Sequence, residues 1–356
     1  MNFKKIILIL IAILIVLGAG FAIFKSGENK KRDTNKIQVV ASNFASYDFL
    51  RAIIGNNENV ELTFLLGPGK DAHSYEPTSQ DLVTIQNADL FVYVGGEMEQ
   101  WADKVLESLD TKNTKIICIA DSVDTIEEQD VDGAEEHDHD HGEEENEGHE
   151  HEHNDEDEEH EHDGNENEEH EHHHEHEEGA FDEHIWTSPS NAKKMVNSLE
   201  KAMEEIDSNN AQKYKENAER YTAQIKEVDS RIQEVVDNKV RNRLIFADKM
   251  PMQYFIEYYN LEVSAAFSGC STETEPSAKT IAYLQNKAKE EKTPVILYIE
   301  LNTGKVAKTI AEEVGNGCEA MQIQTLHNVS LDDFNNGETW VSLMTRNINV
   351  LKKALQ

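Results

Sequence analysis

From Ile37 onward, short apolar runs alternate with stretches whose apolar residues recur at helical spacing, the pattern of parallel sheets built from βα units. Runs at 37–41, 60–66, 90–94 and 115–120 predict strands, with helices between them at 47–54, 78–87 and 98–109. The alternation returns later, with strands near 243–247, 262–267, 294–299 and 321–324 and helices near 251–259, 277–289, 305–314 and 339–355. Between the two sets, 190–237 is polar and largely free of Gly and Pro. It places Met195, Leu199, Met203 and Ile206, then Tyr214, Tyr221, Ile225, Val228 and Ile232, at helical spacing. That stretch predicts a helix, a break at Ser208-Asn209-Asn210, and a long helix to about Asp237. The expected fold class is therefore α/β: two βα-sandwich domains with parallel sheets, joined by a long rigid helix. A length of 356 residues is enough for two sizeable cores.

Two stretches break this pattern. At the N-terminus, Lys4 and Lys5 precede an uncharged apolar run at 6–24, long enough to span a bilayer. No cysteine lies near Gly18-Ala19-Gly20, so the usual bacterial lipid-attachment residue is missing. Lys25, Lys30, Lys31 and Arg32 follow the run, so flanking charge does not set its orientation. Residues 1–35 are thus a membrane anchor or signal segment. An uncleaved anchor is favoured, with the remainder held at the extracytoplasmic face of the cell membrane.

The second break, at 127–178, dominates the charge of the chain. It holds 28 Asp or Glu, no Lys or Arg, and 13 of the 16 histidines, so about three quarters of the net charge of −37 sits there. With almost nothing apolar to bury and strong self-repulsion, it predicts a disordered His/acid-rich loop. It falls between an N-terminal α/β domain at 36–126 and a segment at 179–240 that ends that domain and carries the bracing helix. A C-terminal α/β domain follows at 241–356. Imidazoles among carboxylates suit weak capture of zinc and similar metals at many sites. His149-Glu150-His151-Glu152-His153 and His170-Glu171-His172-His173-His174 satisfy the zinc-protease pattern H-E-x-x-H, but that pattern requires a helix with an apolar face, and none exists in an alternating His/Glu tract.

Only His73, His184 and His327 remain outside the loop, each where a strand ends or a connection begins. Ligands of open α/β sheets collect at such strand ends. The cysteines are odd in number: Cys118 reads as a buried hydrophobe in a strand, while Cys270 and Cys318 leave open a bridge outside the cell or metal ligation by Cys270.

Taken together, Gly67-Pro68-Gly69-Lys70-Asp71-Ala72-His73-Ser74-Tyr75-Glu76-Pro77 and Asp182-Glu183-His184-Ile185-Trp186-Thr187-Ser188-Pro189 resemble two ligand segments of a known family. These are the metal-binding subunits of bacterial ABC importers for zinc and manganese, in particular the zinc type with a His-rich acidic loop. The second segment has Glu183 where the family has Pro. The resemblance covers about 37–355 and implies a metal site in the cleft between the two domains. It also implies a monomeric receptor that passes zinc to an ABC permease and its ATPase, with no catalysis and no nucleic acid as partner. It makes His73 and His184 ligands and Zn2+ the transported ion.

The third ligand position falls on Lys249, in Ala247-Asp248-Lys249-Met250, and an ammonium does not ligate. Either Asp248 substitutes or the site has fewer protein ligands. At the fourth position stands His327, with Glu273, Glu275 and Glu300 as further oxygen donors nearby. A mostly histidine site favours zinc over manganese. The alternatives are a manganese or iron receptor, a surface metal buffer or adhesin, and, furthest from the pattern, a zinc hydrolase.

Overall fold

The computed structural model describes residues 36–129, 131–134, 181–269, 271 and 275–356. The apolar run at 6–24, most of the His/acid-rich stretch, Cys270 and Glu273 lie outside these residues. Among the described residues, no helix is long and apolar enough to cross a membrane.

The N-terminal lobe is built from β1 (Ile37–Ala41), α1 (Phe44–Ile54), β2 (Val60–Phe64), α2 (Ser79–Gln86), β3 (Leu90–Tyr93), α3 (Gln100–Ser108) and β4 (Lys115–Cys118). All pairings are parallel and the strand order is β2-β1-β3-β4. The central strands can be apolar on both faces because helices cover both: Val39, Val40, Leu90, Phe91 and Val92 are buried. Helix α1 starts three residues before the apolar spacing suggests, because the Asn43 side chain accepts from the Ser46 amide and caps it. Thr78 and Asp81 form a capping box on α2.

The C-terminal lobe repeats the plan with β5 (Arg243–Lys249), α6 (Gln253–Tyr258), β6 (Glu262–Phe267), α7 (Ala278–Glu290), β7 (Val295–Ile299), α8 (Lys305–Val314) and β8 (Glu319–Ile323), in the order β6-β5-β7-β8. Strand β5 runs two residues beyond the expected 243–247, and its register against β6 shifts between Phe246 and Lys249. A short helix α9 (Leu331–Asn335), absent from the sequence reading, and α10 (Trp340–Leu355) close the chain. In both sheets the chain leaves the first strand to one neighbour and returns on its other side. The carboxyl ends of β1 and β5 are therefore switch points that leave a crevice.

Helices α4 (Pro189–Ile206) and α5 (Ala211–Asp237) join the lobes, with the break at Ser208–Asn210 forming a single 3-10 turn. The 27 residues of α5 extend about 40 Å at the helical rise. Its apolar stripe, Tyr214, Tyr221, Ile225, Val228 and Ile232, is buried. At one end Asn217 donates to Ile53 O of α1 at 2.8 Å, and at the other Gln356 donates to Val235 O at 3.2 Å. The lobes share one continuous apolar cluster, running from Phe49 through Trp186 and Ile225 to Leu244 and Trp340. Within it the buried carboxylate of Asp48 accepts from Tyr221 Oη and, at 2.7 Å, from the first amide of α10. Helix and shared core together make the brace.

At the start of the expected loop at 127–178, residues 127–129 and 131–134 are fastened to folded parts. Glu127 bridges to Phe181, and Gln253 donates to Glu127 O at 2.8 Å. Val131 is buried, and Asp132 bridges to Ser264 of edge strand β6 and accepts from Arg243 at 2.9 Å. This strap keeps Val131 for the core and meets a guanidinium, and neither is visible from its acidic composition. Cys118 is half-buried with its thiol 3.2 Å from Val94 O, and Cys318 is a free thiol.

Candidate metal centre

Each histidine is placed by a different device. His73 follows β2 in a connection whose turns need Gly67 and Gly69 at positive φ, and its amide donates to Asp71 Oδ1 at 2.9 Å. His184 precedes a 3-10 turn at Ile185–Thr187 and is fully buried. Its amide donates to Asp182 Oδ1 at 2.8 Å, and its Nδ1 lies 3.1 Å from the same oxygen. A carboxylate on Nδ1 fixes the ring and turns Nε2 toward the cleft, as in carboxylate–histidine–metal arrangements. His327 follows β8, where Leu326 takes φ +58. Glu300, at the end of β7, holds that turn by accepting from Thr325 N at 2.7 Å, Thr325 Oγ1 at 2.8 Å and His327 N at 2.9 Å.

The three rings converge. Their centroids are 5.7 Å apart for His73 and His184, 4.8 Å for His73 and His327, and 5.3 Å for His184 and His327. One ring nitrogen from each lies within 4.8 Å of the others. Among the described residues, the three Nε2 atoms are buried without a hydrogen-bonding partner. Buried polar atoms are normally paired, so three orphaned acceptors facing one point suit a cation. Zinc bonds imidazole nitrogen at about 2.0–2.1 Å, so the three rings would have to draw closer together to share one ion.

Electrostatics keep two of the three ready to ligate. Burial and the charge of His184 push His73 down to about 4. Burial, His184, His73 and Lys249 hold His327 well below the usual imidazole value. For His184 burial also acts downward, but Asp182, Glu183 and Glu128 outweigh it and the net shift is upward.

The loops are tied across the cleft. Asn328, fully buried, donates to Gly67 O at 3.1 Å and Lys70 O at 2.5 Å, and Gly69 N donates to Val329 O at 2.8 Å. Trp186 stands edge-on to His184 at 5.5 Å and donates through Nε1 to Thr325 O at 3.0 Å. Trp186 is thus a wall of the site, whereas Tyr75 packs edge-on against Trp101 of α3 at 5.5 Å. Glu183, where the resembled motif has Pro, accepts from Met98 N at 2.9 Å and so ties the segment to the N-terminal lobe.

Asp248 is not brought into the cluster, which among the described residues contains His73, His184 and His327 alone. The register shift in β5 turns its carboxylate onto the Lys249 amide at 2.9 Å and the Ile299 amide at 3.4 Å. It lines a cavity of about 350 Å³ beside His327, together with Lys249, Glu275 and Glu300. Glu300 is a positioning residue for the His327 turn. The positioning roles of Glu300 and Asn328 were out of reach of sequence spacing, since their partners lie 25 or more residues away.

The fold and the site define a two-lobed α/β metal-binding protein whose candidate ligands come from both lobes. Residues 39–354 match the family "Zinc-uptake complex component A periplasmic" (ZnuA), and the chain belongs to that family. It is 29% identical over 356 residues to the high-affinity zinc uptake system protein ZnuA of Bacillus subtilis, covering 99% of this chain and 98% of that one. It is 28% identical to the zinc-binding lipoprotein AdcA of Streptococcus pneumoniae, over 91% of this chain and 57% of AdcA. The fold matches the Zn(II)-bound ZnuA-like domain of that AdcA with a TM-score of 0.66 at 23% identity, covering 90% of this chain and 99% of that domain. It matches the metal-dependent lipoprotein YcdH of Bacillus subtilis with a TM-score of 0.67 at 24% identity, covering 90% and 99%. A protein of this family is a binding receptor and not an enzyme.

Proposed function

We propose that this chain captures Zn2+ outside the cytoplasmic membrane through His73, His184 and His327 and delivers it to an ABC permease driven by an ATPase. The observation that carries the reading is the convergence of three buried, unpartnered imidazole nitrogens from both lobes within 4.8 Å. Family membership and the zinc uptake named for its relatives supply the transport context. Three imidazoles, with no carboxylate in the cluster among the described residues, favour zinc over manganese or iron, which take more oxygen. In this reading the receptor works as a monomer, its N-terminal apolar run keeps it at the membrane, and the His/acid-rich stretch is a reservoir of weaker sites.

Calorimetric titration of wild type, a deletion of 135–178 and His184→Ala tests this. The deletion should keep one tight zinc per chain and lose several weak ones, and His184→Ala should do the reverse. A tight zinc that disappears with the deletion would refute it. Mass spectrometry of the native protein tests anchoring, since a mature N-terminus near residues 21–27 would mean a cleaved signal.

A further inference from the structure

Lys249 stands where the β5 end meets the site. It is 8% exposed, and its Nζ lies 3.7 Å from Asp71 Oδ2 across the cleft. Charged hydrogen bonds from nitrogen to carboxylate run about 2.7–2.9 Å. The pair is therefore an ion contact that leaves the ammonium's donors free to point elsewhere. It faces the cavity it shares with Asp71, Gly269 and His327.

Among the described residues, three of the carboxylates near this point are engaged, while Glu275 lies exposed at the edge of the same cavity. Asp248 holds two backbone amides, Glu300 holds the His327 turn, and Asp182 holds His184. Three neutral imidazoles leave one position of a tetrahedral zinc open. A loaded site then combines a divalent ion and an ammonium, with three uncharged ligands between them. The missing component is a small negative group that can bind the metal and accept from an ammonium at once.

We propose that this chain binds zinc together with a small inorganic anion of the chloride or hydrogencarbonate class, which fills the fourth position and is held by Lys249. The proposal rests on the three-histidine reading of the site. It makes Lys249 an anion-holding residue at a place where it cannot itself ligate. The carried unit is then a metal–anion pair of lower charge than the bare ion, formed within the cleft as the fourth ligand is recruited from solvent.

Cobalt(II) in place of zinc tests it, since its visible bands report the fourth ligand. The full chain receives one equivalent of Co2+ in chloride-free buffer of constant ionic strength, with His184→Ala as the blank for the His-rich stretch. Chloride, hydrogencarbonate or azide is then titrated in. In wild type the tetrahedral bands should shift saturably with each anion. In Lys249→Gln, cobalt should still bind, but half-saturation should need about tenfold more anion or greater, and Lys249→Arg should recover most of the difference. Bands in wild type that ignore every anion, or equal anion dependence in Lys249→Gln, would overturn the proposal. Absence of tetrahedral cobalt in wild type would instead remove the three-histidine reading beneath it.

Discussion

The two lobes carry the same sheet plan, yet they present their histidines in different ways. In the C-terminal lobe His327 sits in a turn that Glu300 fixes from within the same sheet, through three hydrogen bonds. In the N-terminal lobe His73 lies in a half-exposed connection whose own bonds are local, to Asp71 and within one turn, and whose main fastening is Asn328 of the other lobe. One candidate ligand is held by its own lobe and the other chiefly by bonds to the opposite lobe. A receptor that must release its ion would gain from that division, since an opened cleft would free the His73 loop while His184 and His327 kept their supports. The lobes also share a continuous core around Trp186 and Trp340.

The largest effect should come from the ligands. His184→Ala or His327→Ala should cost more than about 100-fold in zinc affinity by calorimetric competition, above the usual cost of losing a supporting contact. Lys249→Ala should cost far less. Comparable small losses for His327→Ala and Lys249→Ala would mean that the C-terminal lobe contributes no histidine ligand.

Next in size, Glu300→Ala should lower affinity by about 10–100-fold while leaving the His73 loop intact. Asn328→Ala should cost about tenfold, and its signature is local: amide exchange should quicken at 67–73 while 325–327 stay protected. Equal deprotection of both loops would erase the contrast between the lobes.

Acidification probes the same contrast. His73, at about 4, and His327, held well below the usual imidazole value by burial and its cationic neighbours, are neutral at ordinary pH, whereas His184 is held above that value. The competing proton is therefore on His184. As pH falls through its midpoint, zinc affinity should drop about tenfold per unit, a slope of one proton, steepening only as pH nears 4. A slope of two or three protons near neutrality would contradict the arrangement. The smallest effect belongs to Asp248→Asn, expected within about threefold in affinity because its carboxylate holds backbone amides instead of the ion.

Much of this was legible in the chain itself. Alternating runs such as Val39-Val40 and Ile296-Leu297 announce strands apolar on both faces, and the periodic stripe from Tyr214 to Ile232 announces the brace, because burial periodicity is a local property. Histidines are scarce outside the acidic stretch, so His73, His184 and His327 stood out by elimination. What sequence left undecided was which side chains meet. Asp248 and Lys249 are neighbours, and only the register shift in β5 sends the carboxylate to the Ile299 amide and the ammonium toward Asp71. The strap at 127–129 and 131–134 looks like the acidic tract it begins, yet Arg243, Ser264 and Gln253 bind it down from more than 100 residues away. Glu300 and Asn328 are an unremarkable acid and amide until the fold sets them against the ligand loops. Residue spacing determines elements because their hydrogen bonds and burial repeat within a few residues; a metal site depends on distances between elements, and those are set by packing alone.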